Sequence, residues 1–409
     1  MRTIIIYLFL AISTFAARAE DFGAVFTKGY EFYLRGDYPA AREMFAQIPP
    51  QKTELSSLAS YYLASISAFE GDGKAAERNF ALALENAQTP QTRSNAFVQA
   101  ARFFIANSDY AKVVEFSEKI PADLLGGRGK FYVAQALYFL GKKKESAKMF
   151  ASILSEFDDK SSVGADMLVA AITEKKKFAA GLKLDFAPKT PAGIARADIL
   201  AGRKIAQPFG EISFLAQTIL AEQTPTPEIL DALARAAFEN SDSPFAWRAA
   251  VLLSKSRLDA KDYAQAMVFA NDALKLSSPD TFGHFRALIA KGDVLRMQKK
   301  YAEAIEEYMK LYMNRRARGE PIAEAIYKTG LCFFEQGLWA DAHVCFQRVF
   351  VAFFRFEYWG SRAYYYDAQA LYSMGQRRDA NATLLEYFRR AKDKSSEVYK
   401  AARAYYNSI

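Results

Sequence analysis

The sequence predicts an all-α protein: an α-solenoid of antiparallel helix hairpins in two regular arrays, joined by an irregular helical middle. Three observations predict it. A short pattern recurs eight times along the 409 residues. The small and aromatic residues inside each copy keep helical spacing. The composition, 51% hydrophobic and 24% charged, is that of a globular chain, and its length exceeds what one ordinary core can bury.

The first residues stand apart. Arg2, the apolar run Ile4–Ile12 and the small-x-small sequence Ala17-Arg18-Ala19 before Glu20 have the layout of a secretory signal peptide over residues 1–19. The run is far shorter than the ~20 residues that spanning a bilayer requires. The expectation is an exported chain at the periplasm or outer-membrane periphery, with a mature start near Glu20 and no transmembrane segment. Losing Arg2 and Arg18 lowers the formal charge from +8 to +6. The basic clusters Lys142–Lys144, Lys175–Lys177 and Arg315-Arg316 lie far apart, which reads as solvated helix ends rather than the continuous stripe that nucleic acid demands.

The repeat begins with RGDYPAAREMF (35–45) and returns as EGDGKAAERNF (70–80), NSDYAKVVEFS (107–117) and LGKKKESAKMF (140–150). It continues as AKDYAQAMVFA (260–270), QKKYAEAIEEY (298–308), QGLWADAHVCF (336–346) and MGQRRDANATL (374–384). The column through Tyr38, Gly73, Tyr110 and Lys143 advances by 35, 37 and 33 residues; after a gap of 120 it advances through Tyr263, Tyr301, Trp339 and Arg377 by 38 each time. Each copy has a helix-breaking turn, usually an aromatic after it, a small residue three positions on, and an apolar residue four beyond that. Small residues before the turn (Gly29, Ala64, Ala134, Gly292, Gly330, Ala368) face small residues after it (Ala41, Ala76, Ala266, Ala304, Ala342, Ala380). Phe45, Phe80, Phe150, Tyr308 and Phe346 follow one helical turn later, the arrangement of tightly packed antiparallel helix pairs.

That order of Gly/Ala, aromatic, Gly-Asp-Tyr, Ala and Phe resembles the tetratricopeptide repeat (TPR) over residues 22–155 and 245–390. The C-terminal copies depart from it by running 38 residues, and Val113 and Ser146 stand where Ala is expected. The predicted organisation is an N-terminal array over 20–160, a diverged helical segment over 161–244 and a C-terminal array over 245–409. In the middle, Pro188, Pro191, Pro208, Pro225 and Pro227 punctuate helical stretches at 193–206, 211–222 and 228–240.

Chemistry is sparse. The chain has two His, His284 and His343, and two Cys, Cys332 and Cys345, and it carries no HExxH, CxxC, P-loop, GxSxG or Gly-rich dinucleotide turn. No catalytic residue, cofactor or metal site is assigned. His343 reads as a partly buried, satisfied imidazole and the cysteines as two buried thiols on opposite helices of one hairpin. The sequon Asn381-Ala382-Thr383 falls mid-helix and is discounted.

A row of hairpins presents its first helices on a concave side, where such arrays bind. The repeat register places Arg286, Ile289, Asp293 and Arg296 there, then Tyr327, Leu331 and Phe334, then Arg362, Tyr365, Gln369 and Tyr372. The candidate partner-binding set is Arg286, Arg296, Tyr327, Phe334, Arg362, Tyr365, Gln369 and Tyr372, because Arg and aromatics dominate protein interfaces. The N-terminal array offers Phe26, Tyr30, Tyr33, Tyr61, Arg102, Phe131, Gln135 and Tyr138. The TPR resemblance implies a non-enzymatic scaffold holding a protein or extended peptide, with exported members similar to accessory factors of outer-membrane assembly or to the Tol-Pal type of envelope system. A glycan- or peptidoglycan-binding module and a helical accessory subunit of an envelope enzyme are the alternatives. Peripheral contact with the envelope is compatible with each of these, and nucleic acid is not expected.

Overall fold

The computed structural model describes residues 22–155, 159–173, 187–279, 281–315 and 317–409. The leader reading, the Lys175–Lys177 cluster and Arg316 lie outside them. The described residues contain helices and no strand, so the all-α helical-repeat class holds. The chain divides into two compact units between Ser213 and Phe214.

The first unit opens with four hairpins. They are α1 (22–35) with α2 (Tyr38–Ala46), α3 (Glu54–Glu70) with α4 (Gly73–Asn86), α5 (Pro90–Ala106) with α6 (Tyr110–Ser117), and α7 (Gly126–Phe139) with α8 (Lys143–Leu154). Two further helices follow among its described residues, α9 (Val163–Thr173) and α10 (Pro191–Leu200). The second unit starts with α11 (Phe214–Gln223) and α12 (Pro227–Glu239). Four hairpins follow: α13 (Ala246–Asp259) with α14 (Tyr263–Leu276), α15 (Phe282–Met297) with α16 (Tyr301–Tyr312), α17 (Glu320–Glu335) with α18 (Trp339–Ala352), and α19 (Glu357–Ser373) with α20 (Arg377–Arg390). A single helix, α21 (Glu397–Tyr406), ends it. Below, the first helix of a hairpin is its A helix and the second its B helix.

The repeat column has a structural meaning. Tyr38, Gly73, Tyr110, Lys143, Tyr263, Tyr301, Trp339 and Arg377 are each the first residue of a B helix. Where Asp precedes the column, its carboxylate accepts the N–H three residues on, from Asp37 to Ala40, Asp72 to Ala75, Asp109 to Lys112 and Asp262 to Gln265. This satisfies one of the open donors of a helix start. One residue earlier the backbone is left-handed in all eight turns, at Gly36, Gly71, Ser108, Gly141, Lys261, Lys299, Gly337 and Gly375. Each turn closes with a nested pair of backbone bonds onto the A helix, such as Gly337 N–H to Phe334 O at 3.0 Å and Leu338 N–H to Phe333 O at 2.9 Å.

Packing follows from that geometry. A Cβ added to Gly292 would lie 2.4 Å from the Tyr308 ring, and one on Gly330 would lie 2.7 Å from Phe346 and 3.0 Å from the Cβ of Cys345. Gly29 faces Met44 and Phe45 in the same way. The partner small residues Ala41, Ala76, Ala266, Ala304, Ala342 and Ala380 are fully buried. Where serine replaces alanine, its hydroxyl bonds the carbonyl across the hairpin, Ser146 to Ala134 and Ser254 to Ala266, both at 2.8 Å. Hence the departure at Ser146 costs the hairpin little, since the buried hydroxyl has a partner.

The region of 159–213 within the first unit is held differently. Gly127 of α7 and Gly164 of α9 bring two backbones together, with a Cβ on Gly164 only 2.5 Å from the Gly127 carbonyl. The fully buried Arg196 guanidinium on α10 donates to Asp166 at 2.7 Å, to the Asp159 carbonyl at 2.7 Å and to the Ser162 carbonyl at 3.1 Å. The expected helix at 193–206 ends earlier, at Leu200, because Gly202 turns left-handed and the Arg203 N–H closes onto the Asp198 carbonyl. The expected helices at 211–222 and 228–240 appear as α11 and α12, with Pro227 in the first turn of α12.

Two substitutions test the hairpin geometry. Lys299→Gly should raise unfolding stability by about 0.5–1 kcal/mol, because lysine holds a left-handed backbone that glycine adopts at no steric cost. Gly292→Ala should lower it by about 1–3 kcal/mol by overpacking against Tyr308. Denaturant melts of the two variants read both signs; a destabilised Lys299→Gly or a neutral Gly292→Ala would contradict the packing described.

Candidate partner-binding face

In the second unit the A helices lie side by side, and a polar ladder joins them. Arg286 on α15 pairs with Glu324 on α17, and Arg296 pairs with Glu335. Lys328 on α17 reaches back to Asp293 at 2.6 Å and along its own helix to Glu324 at 2.7 Å, while the Tyr308 hydroxyl donates to Asp293 at 2.7 Å. One repeat further on, the Trp359 indole N–H donates to Glu320 at 3.0 Å. Burial alone would push the Glu324 carboxyl up, yet Lys328 and Arg286 outweigh it and hold its pKa below the ordinary value. Burial likewise opposes charge on Lys328, and Asp293 and Glu324 overcome it.

This ladder corrects the reading of Arg286 and Arg296 as groove cations awaiting a partner: both guanidiniums are engaged by carboxylates of the next A helix. Tyr327 and Phe334 are corrected too. Tyr327 is only 5% exposed, with its ring centroid 5.5 Å from Trp359, 5.7 Å from Phe346 and 6.1 Å from Tyr366. Phe334 packs on Trp339 at 5.0 Å and Tyr366 at 5.3 Å. Both belong to the core between hairpins, and burial pushes the Tyr327 phenol pKa up.

The remaining candidates stay together on α19. Arg362 lies over the Tyr358 ring at 3.6 Å and donates to the Tyr358 carbonyl at 3.1 Å. Tyr365, Gln369 and Tyr372 are half-buried along the same stripe. Tyr365 and Tyr372 each meet Tyr405 of α21, at 6.1 and 6.2 Å, and Arg377 donates to the Tyr372 hydroxyl at 3.2 Å. Positions 358, 362, 365, 369 and 372 alternate steps of four and three, which keeps them on one helix face. Tyr358 was missed by sequence reasoning, although its spacing from Arg362 fits that stripe.

In the first unit four of the aromatic candidates, Phe26, Tyr30, Tyr33 and Tyr61, form one cluster whose hub is Tyr62, a residue the register did not single out. Its ring lies 5.9 Å from Phe26, 5.4 Å from Tyr30, and 4.9 Å from both Tyr33 and Tyr61. Burial raises the phenol pKa of Tyr33 and Tyr62. Phe131 is buried against Phe150 rather than open.

The remaining titratable groups fit a packed array. Cys332 is buried and Cys345 half-buried, no disulfide joins them, and burial pushes their thiols up to about 12 and about 11. The His343 ring meets Asp367 at 2.6 Å, as the reading of a satisfied imidazole requires. Asn381 sits half-buried within α20. Among the described residues, no three His, Cys, Asp or Glu gather as a metal site, and no helix is long and apolar enough to cross a membrane.

No family model and no curated protein matches the chain. Among solved structures, yeast Tom70 aligns at 11% identity over 96% of each chain with a TM-score of 0.34. The Cut9 and Hcn1 tetramer of the APC/C aligns at 11% identity over 94% of this chain and 90% of the other, with a TM-score of 0.29. The helical-repeat class rests on the hairpins themselves.

Two groups in this region yield stability tests. Glu324→Gln should destabilise the fold by about 2–4 kcal/mol near neutral pH, because it leaves Lys328, with only 14% of its side chain exposed, short of one carboxylate. A melt unchanged from the parent would show the ladder to be inert. The second group is Asp367, whose carboxyl burial raises to about 6 against the pull of His343. Its folded-state pKa lies above the unfolded value, so the folded state is favoured below pH ~4 and loses that advantage as pH rises to ~6. Asp367→Asn should therefore add stability on the order of 2 kcal/mol more at pH 7.5 than at pH 4. Melts of parent and variant at the two pH values check the sign.

Proposed function

We propose that the chain is a non-enzymatic scaffold that holds a protein or extended peptide segment against the A-helix face of its C-terminal hairpins. The observation that carries this reading is the stripe Tyr358, Arg362, Tyr365, Gln369 and Tyr372 on α19. It presents a stacked guanidinium and phenol beside two half-buried tyrosine rings. Such rings supply contact area at low entropic cost, and an arginine fixed on a ring offers a planar donor for a carboxylate or backbone carbonyl. Arg286, Arg296, Tyr327 and Phe334 serve this face from beneath, as the supports that hold neighbouring A helices together.

We place the scaffold in the cell envelope, as an exported component of envelope or outer-membrane assembly. The support for that placement is the leader-like order of Arg2, Ile4–Ile12 and Ala17-Arg18-Ala19. The mature chain would then begin near Glu20.

The test uses residues whose loss leaves the fold intact. Tyr358 is 55% exposed, so Tyr358→Ser with Arg362→Glu should leave the melting temperature unchanged. Partner recovery from envelope extracts should fall by at least tenfold, matching about 2 kcal/mol for an interface anchor. Tyr365→Ala with Tyr372→Ala should reduce both recovery and stability, since these rings also seat Tyr405. Full recovery of the same partner by the Tyr358/Arg362 variant refutes the face.

A further inference from the structure

The turns that lead from each B helix to the next A helix in the second unit form an edge distinct from the α19 stripe. Three of these turns fall at 313–315 with 317–319, at 353–356 and at 391–396, and side chains link them. Glu320 at the start of α17 accepts the Trp359 indole N–H at 3.0 Å, and Glu357 at the start of α19 accepts the Lys392 N–H at 2.9 Å. Arg348 near the end of α18 lies 5.8 Å over the Tyr312 ring at the end of α16.

Two properties coincide on this edge. Large apolar side chains stand in solvent at its rim: Phe354 is 72% exposed, Met313 68% and Val351 64%. On the same turns and the adjoining end of α20, Arg315, Arg318, Arg355, Arg389, Lys392 and Lys394 are all exposed. Of the acidic side chains here, Glu357 is half-buried while Glu320, Asp393 and Glu397 are exposed, fewer than the six cations. Glu320 and Glu357 hold the indole and backbone N–H groups just named, and Asp393 accepts from the N–H and hydroxyl of Ser395 at 2.8 and 2.6 Å. The edge therefore presents exposed cations together with exposed apolar groups.

We propose that this edge docks the protein onto an anionic phospholipid surface, with Phe354, Val351 and Met313 entering the headgroup layer and the surrounding Arg and Lys side chains meeting lipid phosphates. Three features select a bilayer as the occupant. The apolar groups stand on turns and a helix end, each mostly exposed to solvent. The cations flank them at the level of the headgroups, the order of an interfacial anchor. The charge complements an acidic leaflet, and each basic side chain near such a surface adds to its attraction. Docking here leaves the α19 stripe to its own partner, so neither reading depends on the other.

Vesicle co-sedimentation of the full chain tests it, using phosphatidylcholine vesicles with and without phosphatidylglycerol. The parent should partition at least about tenfold more strongly onto the anionic vesicles, and rising salt should weaken this. Phe354→Ser with Val351→Ser should lower partitioning about tenfold by removing the anchor. Arg355→Glu with Arg389→Glu should lower it by a similar factor or more. Every variant carries the same N-terminus, so the apolar run Ile4–Ile12 contributes equally to each arm. Melting curves check the fold, and Lys392→Glu with Lys394→Glu replaces the arginine pair if that variant fails to fold. Equal binding to neutral vesicles, or binding untouched by the substitutions, overturns the proposal. So does a result in which the variants lose self-association or capture of a protein while vesicle binding persists.

Discussion

Eight times along the chain an A helix turns back as a B helix, and in three of those hairpins the contact admits no side chain beyond hydrogen on one side. Gly29, Gly292 and Gly330 lie directly beneath Phe45, Tyr308 and Phe346, and an added Cβ would fall within 3.0 Å of the opposing side chain. Everything else in these hairpins follows from that approach. The left-handed residue at the turn reverses the chain in the space of two residues. The aspartate or its substitute after that turn starts the B helix, and the small residue three positions beyond the column lets the axes close. The aromatic four residues further then fills the hollow above the glycine. The partners vary along the row: Ala64 and Ala134 also face buried rings, Phe80 and Phe150, whereas Ala368 faces Leu384 and Ser254 faces Ala270.

These local rules explain what could be read from the sequence. The turn, the helix starts and the small-residue columns are all encoded within about twenty contiguous residues, so a repeated pattern exposes them. Contacts between hairpins depend on pairs roughly one repeat apart, and there the reading was partial. The 38-residue step that carries Tyr327 to Tyr365 also carries Arg286 to Glu324. That step pairs opposite charges, a signal of an ion-pair ladder present in the sequence but unused when the arginines were assigned to a partner. In the first unit, Asp166 and Arg196 sit 30 residues apart across α9 and α10, outside any repeat register. No periodicity marks such a pair, and burying it requires several hydrogen bonds at once to offset the desolvation of both charges.

Tyr327 and Tyr365 occupy equivalent positions and differ in surroundings for a simple reason. Above Tyr327 stands a complete hairpin, whose Trp359 and Tyr366 close over the ring. Above Tyr365 stands only α21, which supplies Tyr405. The register therefore marks which side chains face the next repeat, whereas accessibility depends on how much of that next repeat exists. Tyr327 is therefore core, whereas Tyr365, packed on the single helix α21, stays half-buried.

The same reasoning separates two kinds of charged surface in the second unit. Between α15 and α17, Arg286, Arg296 and Lys328 each have a carboxylate within reach, and these pairs, partly shielded from solvent, fasten the two repeats. At the turns Glu320 and Glu357 accept from an indole and a backbone N–H, and exposed Glu320, Asp393 and Glu397 are outnumbered by exposed lysines and arginines. In α17 and α19 the acid at the helix start is used to join neighbouring repeats, as Glu320 and Glu357 show. Once those acids are committed, cations on the same turns lack equal opposition, and the edge acquires a positive field as a consequence of how the hairpins are joined. Hydrophobic residues placed there, such as Phe354 and Met313, then sit within that field rather than in a core. The pairs between α15 and α17 are thus balanced internally, whereas Arg362 on α19 and the cations of the turns are not.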